Sequence, residues 1–156
     1  MTQDEYVQNL SQDLELLERS LFWLRRSFGI CSVFGGKKVL SPEEYDAVET
    51  LTSRYARTSD ILIQKIFRSI DEVELEDRGT MIDVINRADK RGLFESVDEI
   101  RETRDLRNKI AHEYSKEDLE KLFADVMRLT PRLHGIAGNI FAYCARFGIK
   151  RGEQGK

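Results

Sequence analysis

Residues 3–28, QDEYVQNLSQDLELLERSLFWLRRSF, decide the fold of this chain. Their apolar residues recur at alternating steps of three and four, which is the spacing of one buried stripe along an α-helix. A stripe of this length, followed by the loop of residues 29–36, fits an antiparallel bundle better than a coiled coil. We therefore predict a first helix over residues 3–28. Its stripe consists of Val7, Leu10, Leu14, Leu17, Leu21, Leu24 and Phe28.

Four further start signals divide the rest of the chain into helices. Ser41, Thr80, Ser96 and Ser115 each have the side chain of a helix N-cap, and acidic residues follow in the next turn. The helices that we predict after them cover residues 42–69, 81–91, 97–113 and 116–147, with stops at Gly92 and Gly148 and a kink at Pro131. No segment has the pattern of a strand. The prediction is an all-α, up-down bundle of about five helices, one domain over residues 1–149 with a polar tail over residues 150–156.

Two polar segments interrupt this helical pattern. The acidic run of residues 71–77, DEVELED, is typical of a solvated connector. The second helix carries a polar group in its middle, which we interpret as a helix flank at an interface or, alternatively, as partners of the polar stretch at residues 101–114. This group consists of Arg54, Arg57, Thr58, Ser59 and Asp60. Trp23, beside the leucine stripe, is expected to be a core or interface anchor.

Composition restricts the class of protein. Of 156 residues, 40% are apolar and 34% charged, as in soluble globular domains. The formal net charge of −3 means that any RNA binding must be local. Cys31 and Cys144 have neither metal-ligand spacing nor the density of a disulfide scaffold, which favours a reducing cytoplasm. No apolar run reaches about 18 residues, so we expect no spanning helix, no signal peptide and no membrane partner.

The most unusual chemistry lies in residues 101–114, RETRDLRNKIAHEY, which we call the central stretch. Its second half combines a guanidinium, an amide, an imidazole and a phenol within residues 107–114. At about 100° per residue, Arg107 and His112 point about 140° apart on one helix, so an unbroken helix cannot aim both at the same atom. They can converge if the helix unwinds after Ala111, or if a second subunit brings its own copy across a two-fold axis.

A two-fold arrangement suits RNA cleavage without a metal. Such cleavage needs a base that takes the 2′-hydroxyl proton and an acid that protonates the leaving 5′-oxygen. A homodimer would supply two His112 imidazoles and two Arg107 guanidiniums in one cleft, with the guanidinium forks holding the phosphate.

The pattern R-N-x-x-x-H-x-Y, from Arg107 to Tyr114, resembles the signature of the HEPN superfamily, and within it the HepT-like proteins encoded beside minimal nucleotidyltransferases. The resemblance implies that Arg107 and His112 are the catalytic pair of a metal-independent ribonuclease toxin at a dimer interface, supported by Asn108. It further implies that Tyr114 is the residue that the cognate nucleotidyltransferase antitoxin modifies with AMP. An AMP group there would add negative charge and bulk beside His112. No cofactor is expected.

Other residues of the central stretch have weaker roles in this interpretation. Asp105 lies on the same helix face as His112, as a supporting residue, and is spaced to pair with Arg101. The predicted RNA groove consists of Arg101, Arg104, Arg107 and Lys109, with Arg87, Lys90 and Arg91 as an extension.

Two less specific interpretations stay open. The arginine and histidine could cap carbonyls or form surface ion pairs at an ordinary helix end. The chain could also be a noncatalytic helical binding partner, the substrate-binding subunit of a nucleotidyltransferase. It carries no G-S-x-D motif and would not transfer nucleotides itself, and no group of residues has the spacing of a metal site.

Overall fold

The computed structural model describes residues 1–112 and 115–152, and this part of the chain is helical without a strand. The predicted all-α bundle is confirmed at this level. The α-helices are α1 (Gln3–Cys31), α2 (Pro42–Asp60), α3 (Phe67–Val73), α4 (Met81–Lys90), α5 (Val97–Ala111) and α6 (Lys116–Cys144). A π-helical turn, Ile61–Ile66, joins α2 to α3, so these three segments form one long rod and the described chain has five helical rods. Short 3-10 turns follow α1 and α6, at Ser32–Phe34 and Ala145–Phe147.

Helix α1 begins at a capping box, in which the Thr2 hydroxyl accepts a hydrogen bond from the Glu5 amide and the Glu5 carboxylate accepts one from the Thr2 amide. The predicted leucine stripe is buried, and all five of its leucines belong to the core. The helix runs three residues beyond the predicted end, to Cys31, which is also buried. Burial of this stripe against α2 and α3 fixes α1 in the bundle.

The rod formed by α2, the π turn and α3 is the centre of the molecule. Helix α2 packs against α1, α5 and α6, and its buried face includes Val48, Leu51 and Tyr55. The rod extends to Val73, beyond the predicted end near residue 69. The prediction that residues 71–77 form a solvated connector is therefore wrong at its start, because Asp71 is helical and only 5% exposed.

The predicted start signals of α4, α5 and α6 are confirmed. The hydroxyls of Thr80, Ser96 and Ser115 each accept a hydrogen bond from the amide three residues later. Gly92 and Gly148 follow the ends of α4 and the last 3-10 turn with φ of 73° and 79°, a backbone conformation that glycine adopts without strain. In the described residues, no helix is both long enough and apolar enough to cross a membrane.

Candidate functional site

A polar cleft of about 350 Å³ lies where the end of α2 and the π turn face α5. Four of its residues come from the central rod and three from the central stretch. They are Ser59, Asp60, Ile63, Gln64, Arg104, Arg107 and Asn108. Because Arg104, Arg107 and Asn108 are spaced at i, i+3 and i+4 on α5, they share one face of that helix. The cleft therefore collects two guanidiniums and two amides around one carboxylate.

Arg107 and Asp60 form a bidentate ion pair across this cleft. Arg107 Nε donates to Asp60 Oδ1 at 2.7 Å, and Nη2 donates to Oδ2 at 2.8 Å. The side chains are 35% and 40% exposed, so both remain in contact with solvent. The hydrogen bonds that Arg107 donates to Asp60 raise the pKa of Arg107, partial burial opposes this shift, and the guanidinium stays charged. Asp60 thus fixes the orientation of the guanidinium and balances its charge.

The position of Asp60 follows from the helix geometry around it. It is the last residue of α2, and the π turn Ile61–Ile66 begins directly after it. A π turn replaces i→i+4 by i→i+5 hydrogen bonds, which alters the direction of the side chains that follow, and such turns are frequent at functional sites. Ile63 and Gln64 of this turn line the cleft beside Asp60. The interpretation of the polar group on the second helix as partners of the central stretch is thus confirmed for Asp60, which pairs with Arg107. Arg54 and Thr58 of the same group instead form hydrogen bonds with side chains of α1.

His112 lies just beyond the helix. Helix α5 ends at Ala111, and His112 has extended backbone angles, φ −85° and ψ 152°, with an exposed side chain. A break of the helix after Ala111 was one of the two ways by which His112 and Arg107 could converge, and the break is present. Of the described residues, however, His112 is not among those that line the Arg107 cleft. Helix α5 thus ends two residues before the predicted end at residue 113, as one of the two alternatives requires, whereas a shared position of the two side chains stays a prediction.

The remaining predicted site residues lie outside the cleft lining. Arg101, Asp105 and Lys109 are exposed on α5. The predicted pairing of Arg101 with Asp105 is wrong, because Arg101 Nη1 instead donates to Asp98 at 3.3 Å, one turn towards the exposed helix start.

Two arginines of the proposed extension of the groove form ion pairs within the fold. Arg87 and Arg91 of α4 both form ion pairs with the buried Asp71, at 3.1 and 2.6 Å. Arg91 is left only 9% exposed. Its guanidinium holds α4 against α3.

The predicted modification site, Tyr114, lies outside the described residues. Asp60 is the cleft residue whose partner sequence reasoning left undecided, since Arg107 lies 47 positions away and no local spacing links the two. The one signal was its place in a polar group on an otherwise apolar helix.

Within residues 1–112 and 115–152, no three His, Cys, Asp or Glu side chains form a group that could hold a metal ion. Comparison of the chain with models of protein families, with curated proteins and with solved structures finds no match. The cleft geometry and the chemistry of its residues are therefore what supports a functional proposal.

Proposed function

We propose that this protein is a metal-independent endoribonuclease toxin of the HEPN type, paired with a minimal nucleotidyltransferase antitoxin. The observation that carries the proposal is the α2–α5 cleft, where Arg104, Arg107 and Asn108 present N–H donors on one face, one helical turn before the helix breaks at His112. Guanidinium forks are well suited to bind a phosphodiester as its charge grows in the transition state. The resemblance of R-N-x-x-x-H-x-Y to the family signature adds the expected reaction.

In this mechanism the phosphate of RNA binds to the Arg107 guanidinium. Asp60 accepts hydrogen bonds from Nε and Nη2, whereas a guanidinium has five N–H donors, so donors on Nη1 and Nη2 are left for the phosphate. Asn108 can donate a further hydrogen bond from its amide. Arg101, Arg104 and Lys109 would bind neighbouring phosphates, which gives an acidic protein a local basic track.

His112 is the proton-transfer group of the proposal. Its imidazole takes the proton of the 2′-hydroxyl, which then attacks the phosphorus atom and forms a cyclic phosphate, and the 5′-oxygen leaves with a proton from a general acid. In the homodimeric form of the proposal, the general acid is His112 of a second copy in a shared cleft. Asp105 has a supporting role on the same helix.

Control by the partner enzyme forms the second part of the proposal. AMP attached to the Tyr114 hydroxyl would place a phosphate two residues after His112, where it repels the RNA backbone and occupies space beside the imidazole. Incubation with the nucleotidyltransferase and ATP should then add the mass of one AMP to the wild type and none to Tyr114→Phe. Cleavage by Tyr114→Phe should continue under the same conditions.

The test of the nuclease is RNA cleavage by the purified, unmodified protein in excess EDTA. We expect wild type to cleave, and Arg107→Ala and His112→Ala each to lose at least about 100-fold in rate. Arg132→Ala, which removes an exposed arginine of α6, is the matched control and should keep full activity. Circular dichroism should show that every variant is folded. Equal rates in wild type and His112→Ala would exclude this histidine from the chemistry.

Mixing wild type with an excess of His112→Ala tests the shared cleft. If one cleft takes its base and its acid from two copies, each mixed dimer holds a single His112, and the cleavage rate per wild-type chain falls steeply as the variant is added. If each copy carries its own site, the rate per wild-type chain is unchanged by the added variant.

A second candidate function has a specific observation in its favour. Arg107 is already paired with Asp60, and His112 is absent from the described lining of that cleft. These features suit a noncatalytic helical subunit that binds a nucleotidyltransferase. Absence of cleavage by an unmodified, folded wild type, together with a stable complex with the partner enzyme, would support this function and contradict the first.

A further inference from the structure

The outer face of α2 carries a charge pattern that the proposed nuclease does not use. Six residues of this helix line a shallow groove of about 520 Å³, and we call them the α2 stripe. They are Asp46, Glu49, Thr50, Ser53, Arg54 and Arg57. Their spacing of three and four places them on one helix face. Both acids lie towards the start of the helix, both arginines lie towards its end, and two hydroxyl residues lie between them.

This order is complementary to itself in the antiparallel direction. Consider two copies whose α2 helices run antiparallel about a two-fold axis at the level of Leu51 and Thr52. Each residue then lies opposite the residue of the other copy for which the two residue numbers add up to 103. This arrangement therefore pairs Asp46 with Arg57, Glu49 with Arg54 and Thr50 with Ser53 of the other copy, so that every residue of the stripe meets a suitable partner. A two-fold interface requires this property, because the same surface must match itself. We propose that a second copy of this chain docks on the α2 stripe.

Two exposed aromatic side chains beside the stripe supply apolar area for the same interface. Trp23 and Phe22 of α1 are 49% and 45% exposed and contact each other edge to face, with ring centroids 5.2 Å apart. The Arg54 guanidinium lies 5.1 Å from the centre of the Trp23 ring, and its Nη1 donates to Ser27 Oγ at 2.7 Å. Trp23 is thus held against the edge of the stripe, and aromatic residues with arginine are the types enriched at protein interfaces.

The charges of the stripe favour a second copy over a nucleic acid. The stripe contains two acids and two arginines, so it has no net charge, and its acidic half would repel a phosphate backbone. A uniformly basic or acidic protein would likewise meet one half of the stripe with the wrong sign. An antiparallel copy is the simple partner that satisfies both halves at once.

This inference does not depend on the proposed nuclease. Asp60 lies 8.5 positions from the axis, so the two Asp60 residues would be about 26 Å apart along the paired helices. Each copy would keep its own Arg107 cleft, whereas a cleft shared by two His112 side chains would need a different two-fold axis. The mixing experiment above reports on the shared cleft, and the experiment below reports on the α2 stripe.

The test is a charge swap, measured by sedimentation equilibrium at low salt. Wild type should self-associate, and Asp46→Arg and Arg57→Glu should each weaken this association at least about 10-fold, because each change places like charges opposite one another at two symmetric positions. The double variant Asp46→Arg/Arg57→Glu restores the opposite charges and should return the dissociation constant to within about threefold of wild type. Arg132→Glu reverses the charge of an exposed arginine on α6, outside the stripe, and should leave the association intact.

Three results would overturn the proposal. They are a monomeric wild type at 100-fold the concentration used for the variants, single variants that dimerise as wild type does, and a double variant as weak as the singles. A second measurement does not depend on charge variants. Copies carrying Thr50→Cys, mixed with copies carrying Ser53→Cys, should form a disulfide-linked heterodimer on mild oxidation, since native Cys31 and Cys144 are buried. A wild type that stays monomeric but binds another protein through the stripe would also contradict docking of a second copy.

Discussion

The Arg107 guanidinium lies at the centre of the α2–α5 cleft with one carboxylate already bound to it. A phosphate that enters must either share the guanidinium with Asp60 or displace it, because the two anions compete for one positive charge. Asp60 therefore has two opposite effects on a nuclease: it orients the guanidinium fork, and it lowers the electrostatic attraction for RNA.

Replacement of Asp60 by Asn separates these two effects. The amide keeps the size of the side chain but removes its charge, so we expect binding of a short RNA to His112→Ala/Asp60→Asn to be about 3- to 10-fold tighter than to His112→Ala. Cleavage by Asp60→Asn alone should slow, because the fork loses its fixed orientation. The free energy of unfolding should fall by less than about 1 kcal/mol, since the pair is partly exposed. Asp125→Asn, which alters the exposed Arg128 pair on α6, is the matched control and should change neither RNA binding nor cleavage.

At the scale of single residues, the sequence predicts only those neighbours that follow from local spacing. Arg104, Arg107 and Asn108 share a face of α5 because they are three and four positions apart, and the structure places all three at one cleft. The pairing of Arg107 with Asp60 depends on how α2 packs against α5. No pattern within the central stretch contains that information.

At the scale of helices, starts were predicted more accurately than ends. A helix start depends on one hydroxyl and the amide three residues later, which adjacent sequence specifies. The end of the α2–α3 rod depends instead on distant residues. Asp71 stays helical and buried because Arg87 and Arg91, 16 and 20 positions later, hold its carboxylate. An acidic run that looked solvated therefore begins inside the bundle.

Asp71→Ala tests this account of the α3–α4 junction. The substitution leaves Arg91, whose side chain is 9% exposed, without its nearest carboxylate, and removes the anchor of α4. We expect the free energy of unfolding to fall by about 3 kcal/mol, as when one partner of a buried ion pair is removed. Urea denaturation provides the measurement, and Asp77→Ala, in the exposed part of the same acidic run, should change stability by less than about 0.5 kcal/mol. Equal losses in the two variants would contradict a special role of Asp71.

At the scale of the whole molecule, His134 connects three distant parts of the chain. Its Nε2 is buried without a hydrogen-bond partner in the described residues. Burial, and then the charges of Arg25 on α1 and Arg151 after the last turn, lower the pKa of His134 to about 4. Arg151 is itself held by the buried Glu18 of α1, with Nε and Oε1 2.8 Å apart. Folding of the bundle therefore brings the neutral His134 close to two cations. Arg25 and Arg151 lie 109 and 17 positions from it in the sequence, so no local pattern predicts that these three side chains meet.

Acidification should destabilise the protein through this histidine. The pKa is about 4 in the folded state and near 6.5 in the unfolded chain, so between these values the unfolded chain binds more protons. The contribution of neutral His134 is therefore complete above about pH 6.5 and is lost as the pH falls towards 4. One proton sets a limit of about 1.4 kcal/mol per pH unit, and contact with solvent keeps the loss below it.

Urea denaturation of wild type and His134→Gln across this pH range measures the effect. The free energy of unfolding of wild type should fall more steeply on acidification, because glutamine cannot take up the proton. His112→Gln, which removes the exposed histidine, controls for the loss of an imidazole as such. Parallel pH profiles for wild type and His134→Gln would contradict this account. They would show that the contact between α1, α6 and the segment after Gly148 does not lower the pKa of His134, which then takes up its proton in the folded bundle as readily as in the unfolded chain.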